Sequence, residues 1–352
     1  MVNHLEGQMK IKRNICSQVT VLALVAGAFC VTQVANAAGD IQERTIRWGH
    51  LQNEDHPLSK GVKKFAEIVA KNSGGKLKVK EFPSSMLGSE TQEQSALQGG
   101  TQEMMSASTT TLVGIVKEFG VFDFPFLFAN SKEADAVLDG PIGTRLLKTL
   151  PAHGLVGLAY WENGFRNVTN SKRPIKRAED LDGLKIRVMQ NPVYLDTFKT
   201  LGANPVPMAF GELFTALETK TVDAQENPFS IILANKFNEV QGYVSVTNHS
   251  YNSFIVLMSK KFWDKLSPTE QKILQEAAYE ARDYERSVSR ADSTRALEEL
   301  KKKGMKVNDL SPKSLAHMRA LLKPVSAKFA ASYDPAFMRD FNAEMERVRK
   351  AM

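Results

Sequence analysis

Cysteine is almost missing from this chain of 352 residues: there are two, Cys16 and Cys30, and both lie within the first 37 positions. Those positions read as a leader that is removed, so what remains has no thiol for a disulfide, a thiolate metal site or a cysteine nucleophile. A glycine-rich phosphate loop, a G-x-S-x-G elbow and an H-E-x-x-H helix are also lacking. Histidine is sparse. His50, His56, His153, His249 and His317 follow the leader, only the first two are close in sequence, and no metal site is expected from so few. No pair of carboxylates has a spacing that points to acid–base catalysis, and there is no repeat or low-complexity stretch. A large charge excess is absent as well: Lys and Arg number 46 against 39 Asp and Glu, a net +7 that falls to +5 once Lys10, Lys12, Arg13 and Glu6 of the leader are set aside. So mild an excess suits small anionic ligands and argues against a nucleic-acid partner. With 43% hydrophobic and 24% charged residues, the chain is neither a disordered tail nor a polytopic membrane protein.

What is present begins with export. Met9-Lys10-Ile11-Lys12-Arg13 is a basic start, Val19 to Val34 a mostly apolar run, and Ala35-Asn36-Ala37 carries the small residues that signal peptidase reads. Residues 1–37 are therefore expected to be a signal peptide directing the chain to the periplasm. Thr32, Gln33 and Asn36 interrupt the run short of the ~20 apolar residues of a membrane-spanning helix, so the mature chain is expected to carry no stable membrane anchor. Phe29 argues against lipidation of Cys30, and Met1 and Met9 are both possible starts.

Beyond Gly39 the pattern alternates. Thr45–Trp48, Leu77 with Val79, and Glu103–Ser106 read as strands; Ser59–Lys71 and Ser89–Gln98 read as amphipathic or capped helices. The order recurs with strands at Gly154–Trp161 and Leu184–Val188, helices at Asn191–Leu201 and Gly211–Thr219, and strand positions at Val206 and Val222. Gly154–Trp161, nearly all apolar, looks like a buried parallel strand. Two α/β units with largely parallel sheets follow from this order. Ser267-Pro268-Thr269-Glu270 is a capping box, and no Gly or Pro occurs from Thr269 to Lys303. A helix of that length would be about 50 Å long and would reach across both units.

Two arginines stand out. Arg187 alternates with Ile186 and Val188 and lies near the carboxyl end of its strand, where open α/β sheets bind ligands. Arg166 follows the apparent turn Glu162-Asn163-Gly164 in a similar place. A guanidinium offers a planar fork of donors that matches a carboxylate and stays charged, so the pair could clamp a small organic anion. Spacing alone slightly favours the plainer reading, in which each pairs with a surface carboxylate. Asn227, in Gln225-Glu226-Asn227-Pro228, suits a ligand contact or a turn equally well, and Phe210 a core or hinge position.

At these residues the sequence resembles the substrate-binding proteins of TRAP transporters, the DctP-like family. The most specific stretch is Leu184-Lys185-Ile186-Arg187-Val188, then Gly202-Ala203-Asn204-Pro205-Val206-Pro207-Met208-Ala209-Phe210, Ala216-Leu217-Glu218-Thr219, and Val222-Asp223-Ala224-Gln225-Glu226-Asn227-Pro228. Arg47-Trp48-Gly49-His50, Pro83-Ser84-Ser85-Met86-Leu87-Gly88 and Asn163-Gly164-Phe165-Arg166 add to it. The resemblance implies a two-lobed periplasmic binding protein, each lobe a mainly parallel sheet flanked by helices, joined by hinge strands and a long shared helix. Lobe I is expected at 38–163 plus 252–290, lobe II at 164–251 plus 291–352. It implies a non-enzymatic receptor, monomeric and without cofactor or metal, that closes on a carboxylate-containing metabolite. It would deliver that acid to the small and large membrane subunits of a TRAP transporter.

Carried over residue by residue, Arg187 pairs with the ligand carboxylate, Arg166 matches a second ligand-contacting arginine, Asn227 the asparagine of the Q-E-N-P block and Phe210 the aromatic of M-A-F, and Gln190 stands at a polar contact position. Gln52 and Ser108 match pocket positions of the first lobe. Ala224 stands where Gly is common, and Ser108 removes an acidic partner that a sialic-acid ligand would want. The ligand is then a C4-dicarboxylate or a sugar acid such as a hexuronate, with Gln52, Gln190, Asn227 and His50 tilting toward hydroxylated acids. The alternative reading is a periplasmic enzyme or a ligand sensor acting on the same acids.

Overall fold

The computed structural model describes residues 40–352, so the leader and its two cysteines lie outside the described residues. Among the described residues nine strands form one sheet: β1 (Arg44–Gly49), β2 (Leu77–Phe82), β3 (Met104–Ser108), β4 (Leu155–Asn170), β5 (Lys185–Val188), β6 (Asn204–Pro207), β7 (Ala224–Asn227), β8 (Tyr243–Ser259) and β9 (Lys306–Asp309). Their order is β2-β1-β3-β8-β4-β7-β5-β6, with β9 paired to β8. At one end β2, β1 and β3 are parallel and β8 joins β3 antiparallel; at the other β6, β5 and β7 are parallel and β4 joins β7 antiparallel. These are the two lobes, and each puts the carboxyl ends of three parallel strands toward connecting loops, as βαβ units do.

β4 and β8 join the lobes, and here the structure differs from the sequence reading. Gly154–Trp161 looks, as sequence, like a short parallel strand ended by a turn. Instead β4 has 16 residues, pairs antiparallel with the 17-residue β8, and runs straight through Glu162-Asn163-Gly164. Those three residues mimic a turn because they form a bulge: the register shifts between Glu162 and Gly164, and Gly164 holds φ +110°, a conformation that favours glycine. β8 carries no clean alternation at its polar end, which hides it from periodicity. Val222 lies just before β7 rather than in a strand.

Alternation along β8 builds two core layers, one on each face of the sheet. Phe254, Val256 and Met258 pack with Trp161, Trp48 and Phe65, while Ile255 and Leu257 pack with Leu155, Tyr160 and the 119–146 segment. The layers therefore cross the lobe boundary instead of respecting it.

The long helix runs from Pro268 to Lys302, about 52 Å at 1.5 Å per residue. Its start is the expected box: Ser267 Oγ accepts from the Glu270 N–H, and Glu270 Oε2 accepts from the Ser267 N–H at 2.8 Å. The helix lies along β4. Trp161 Nε1 donates to the Ala278 carbonyl at 3.1 Å, and the Gln275 amide donates to the Leu158 carbonyl at 2.7 Å. Arg286 pairs with Asp139, and Arg290 with Asp135 and Glu162. The helix Pro57–Asn72 approaches so closely at Gly61 that a Cβ there would come within 3 Å of Trp161 and Glu285. The last helix, Pro335–Ala351, returns to the 131–147 region, where Arg349 meets Glu133 and Asp340 meets Arg145.

Glu285 sits where the long helix crosses the bulge. It is fully buried, and its Oε2 accepts the Glu162 N–H at 2.8 Å. Burial pushes its carboxyl well above the ordinary carboxylate range, with the nearby Glu162 charge adding to the rise. A carboxyl raised on folding adds stability below its unfolded value, and that stability is lost as pH rises through the folded value. Glu285→Gln, which keeps the acceptor and cannot ionise, is therefore expected to lessen the fall in melting temperature between about pH 5 and pH 9. Melting curves at several pH values check this; parallel pH profiles for the variant and the wild type would contradict it.

Candidate functional site

Arg187 is the penultimate residue of β5, at the carboxyl end of the lobe II parallel strands. It is 3% exposed. Its Nε and Nη2 both donate to the Met208 carbonyl, at 3.0 and 2.7 Å, and its guanidinium lies 5.9 Å from the centre of the Phe210 ring. Among the described residues no carboxylate comes within ion-pair distance of it, and Nη1 makes no hydrogen bond. Burial lowers its pKa to about 10; Glu226 opposes the shift, Arg166 adds to it, and Glu90 and Glu212 oppose it more weakly. A buried cation that lacks a contacting anion is costly, and a bound carboxylate would relieve that cost.

Arg166 is buried too, but it is already paired. Its Nε meets Glu226 Oε2 at 2.5 Å, and its Nη2 meets Glu226 Oε1 at 2.8 Å, the Glu226 carbonyl at 2.6 Å and Asn227 Oδ1 at 3.1 Å. His249 adds a second contact to the same carboxylate, from Nε2 to Glu226 Oε2 at 3.2 Å. Burial alone would raise the Glu226 carboxyl, but Arg166 and His249 hold it well below the usual range. Arg166 lies inside β4 rather than after a turn, since the strand continues through the bulge. Its Nη1 has no hydrogen bond among the described residues.

The other candidate residues divide into two groups. Phe210 and Gln190 line a cavity of about 30 Å³ together with Arg187, Leu51, Glu90 and Thr111. Asn227, Ser108 and Gln52 are buried and do not line it. Asn227 accepts from Arg166 and donates to Gln225 Oε1 at 2.6 Å. Ser108 donates its hydroxyl to Asn252 and its N–H to Glu90 Oε1, at 2.9 and 2.6 Å. Gln52 Oε1 is buried without a partner among the described residues, and its neighbour Leu51 faces the cavity instead.

A second cavity of about 230 Å³ adjoins the first, sharing Leu51, Phe210 and Gly211. Asn53 stands on its wall and donates its amide to the Ala234 carbonyl at 2.8 Å. The smaller space has room for about one or two waters, so an acid of several carbons needs the walls to part before it enters.

Sequence reasoning missed Glu90, Glu226 and His249. Glu226 stands inside the Gln225–Pro228 block, and alternation along β7 could have placed it beside β4. Nothing in the spacing connects His249 or Glu90 to the arginines. Burial pushes the Glu90 carboxyl up to about 7, against the Ser108 N–H and the positive charges of Arg187 and Arg166.

Residues 48–332 match the model of bacterial extracellular solute-binding protein, family 7 (DctP). The chain belongs to this family. It is 45% identical to the sugar acid binding protein DctPAm from Advenella mimigardefordensis, solved with galactonate, at a TM-score of 0.86 over 88% of this chain and 100% of that one. It is 37% identical to the 2,3-diketo-L-gulonate-binding periplasmic protein YiaO of Escherichia coli, over 85% of this chain and 90% of that protein. It is 35% identical to the C4-dicarboxylate-binding protein DctB of Bacillus subtilis, over 88% of each. This solute-binding protein is thus of the TRAP type, and the expected two-lobed fold is the one observed.

Truncating one partner of a buried charge pair costs about 2–5 kcal/mol, or about 30- to several-thousand-fold in affinity. Arg187→Ala is expected to lose acid binding on that scale while the unliganded protein melts close to wild type. Calorimetric titration with an acid that binds the wild type, beside melting curves, checks both; retained affinity would remove Arg187 from the site.

Proposed function

We propose that this receptor works in the periplasm after loss of residues 1–37, captures one carboxylate-containing metabolite between its lobes and hands it to the small and large membrane subunits of a TRAP transporter. The observation that supports this most is the buried Arg187, which has the Met208 carbonyl on one side and, among the described residues, no contacting anion. The ligand carboxylate pairs with Arg187 at Nη1, and Arg166 lends its own Nη1 from behind, held in place by Glu226. Phe210 and Gln190 wall the ligand, while Asn227 and Ser108 act by orienting Arg166 and Glu90; Gln52 backs the loop that carries Leu51. Lobe I comprises 38–163 plus 252–290 and lobe II 164–251 plus 291–352, with the terminal helix tied back to lobe I through Arg349 and Glu133. The receptor acts as a monomer and catalyses no reaction on the acid.

The relatives' ligands include sugar acids and C4-dicarboxylates, so both classes belong in the test. A thermal-shift screen of residues 38–352 should include aldonates, hexuronates, C4-dicarboxylates, 2-oxo acids and the neutral parent sugars. A ligand at about 100 times its dissociation constant adds about 2.7 kcal/mol, readily seen as a higher melting temperature. Stabilisation by an acid, with its neutral parent sugar silent, is the expected result. Equal stabilisation by acid and neutral sugar would contradict the carboxylate reading.

A further inference from the structure

The proposed function gives no ligand contact to Glu90, the carboxylate in the lining of the cavity beside Arg187. The helix Glu90–Gly99 starts with a capping box in which Ser89 Oγ accepts from the Gln92 N–H and Gln92 Oε1 accepts from the Ser89 N–H at 2.9 Å. The box fixes Glu90 at the first helical position. Glu90 Oε1 accepts the Ser108 N–H at 2.6 Å; Oε2 has no hydrogen bond among the described residues, and the group makes no ion pair with Arg187. Within the lining of this cavity Glu90 is the one carboxylate and Arg187 the one cation. The adjoining cavity is lined by neither sign of charge; its polar groups are Asn53, Ser84, Ser85 and Asn235. Thr111, a hydroxyl in the same lining as Glu90, is already engaged, donating to the Ser108 carbonyl and accepting from Gln94.

We propose that Glu90 is a selectivity residue: it accepts a ligand hydroxyl opposite Arg187 and excludes a second carboxylate there, so the receptor prefers polyhydroxy monocarboxylic acids to C4-dicarboxylates. This rests on the receptor reading above and narrows its ligand class. An ionised carboxylate only accepts hydrogen bonds, so it suits a hydroxyl and finds nothing to accept from in a second ionised carboxylate. In a cleft closed to water, two like charges with no cation between them repel strongly. Conversely, a site arranged to bond a hydroxyl rejects an analogue that lacks one, because its own polar group is left unpaired.

The test is calorimetric titration at about pH 8, where Glu90 is mostly ionised. The probes are D-galactonate, D-galacturonate and D-erythronate against succinate and L-malate, with wild type, Glu90→Gln and Arg187→Ala. Wild type is expected to bind at least one of the sugar acids ~10-fold or more tightly than either dicarboxylate, and Glu90→Gln to shrink that ratio ~10-fold. A dicarboxylate bound as tightly as the best sugar acid by wild type overturns the proposal, and this outcome needs no variant to fold. An unchanged ratio in folded Glu90→Gln also overturns it; if Arg187→Ala then still loses binding, the receptor reading stands. Binding of no acid by the wild type overturns both.

Discussion

Everything in this molecule hangs on the antiparallel pairing of β4 with β8. Both strands are long enough to serve two lobes, and each completes a set of three parallel strands by joining it antiparallel at one end. Their register shifts three times, between Gly157 and Ala159, Glu162 and Gly164, and Arg166 and Val168, and the long helix braces the middle shift through Trp161, Glu285, Arg286 and Arg290. Two lobes joined by loops alone would lose the alignment of their strand ends. A bulged, helix-braced pair keeps that alignment while bending and twisting the strands between the lobes.

That alignment brings two arginines to one region under different electrostatic conditions. Arg166 faces a bidentate carboxylate, with His249 also bonded to Glu226, so its charge is compensated within the protein. Arg187 has the Met208 carbonyl and the Phe210 face but, among the described residues, no contacting anion. On the proposed function, this difference makes one of two chemically identical side chains a support and the other the group that meets the ligand anion. Burial makes the contrast matter, because charge imbalance is weakly screened away from water.

Much of this is legible in the sequence. The capping box at Ser267, the stretch free of Gly and Pro and the stop at Gly304 locate the long helix to within a residue at each end. The break at Gln190-Asn191-Pro192, just after Val188, places Arg187 near a strand end. Gly164 misleads, because a glycine in a bulge and a glycine in a turn look alike along a chain. β8 escapes notice because its polar half, Thr247 to Ser253, is satisfied by hydrogen bonding instead of by hydrophobic contact. The Arg166–Glu226 pair is also hidden, since residues 60 positions apart meet only through strand order.

The most direct test is a crystal structure of the protein with a bound sugar acid, D-galactonate being the first choice. The expected result is a ligand carboxylate oxygen about 3 Å from Arg187 Nη1, with the Met208 carbonyl still accepting from Nε. A carboxylate bound elsewhere in the cleft, with Arg187 bonded to Met208 alone, would contradict it.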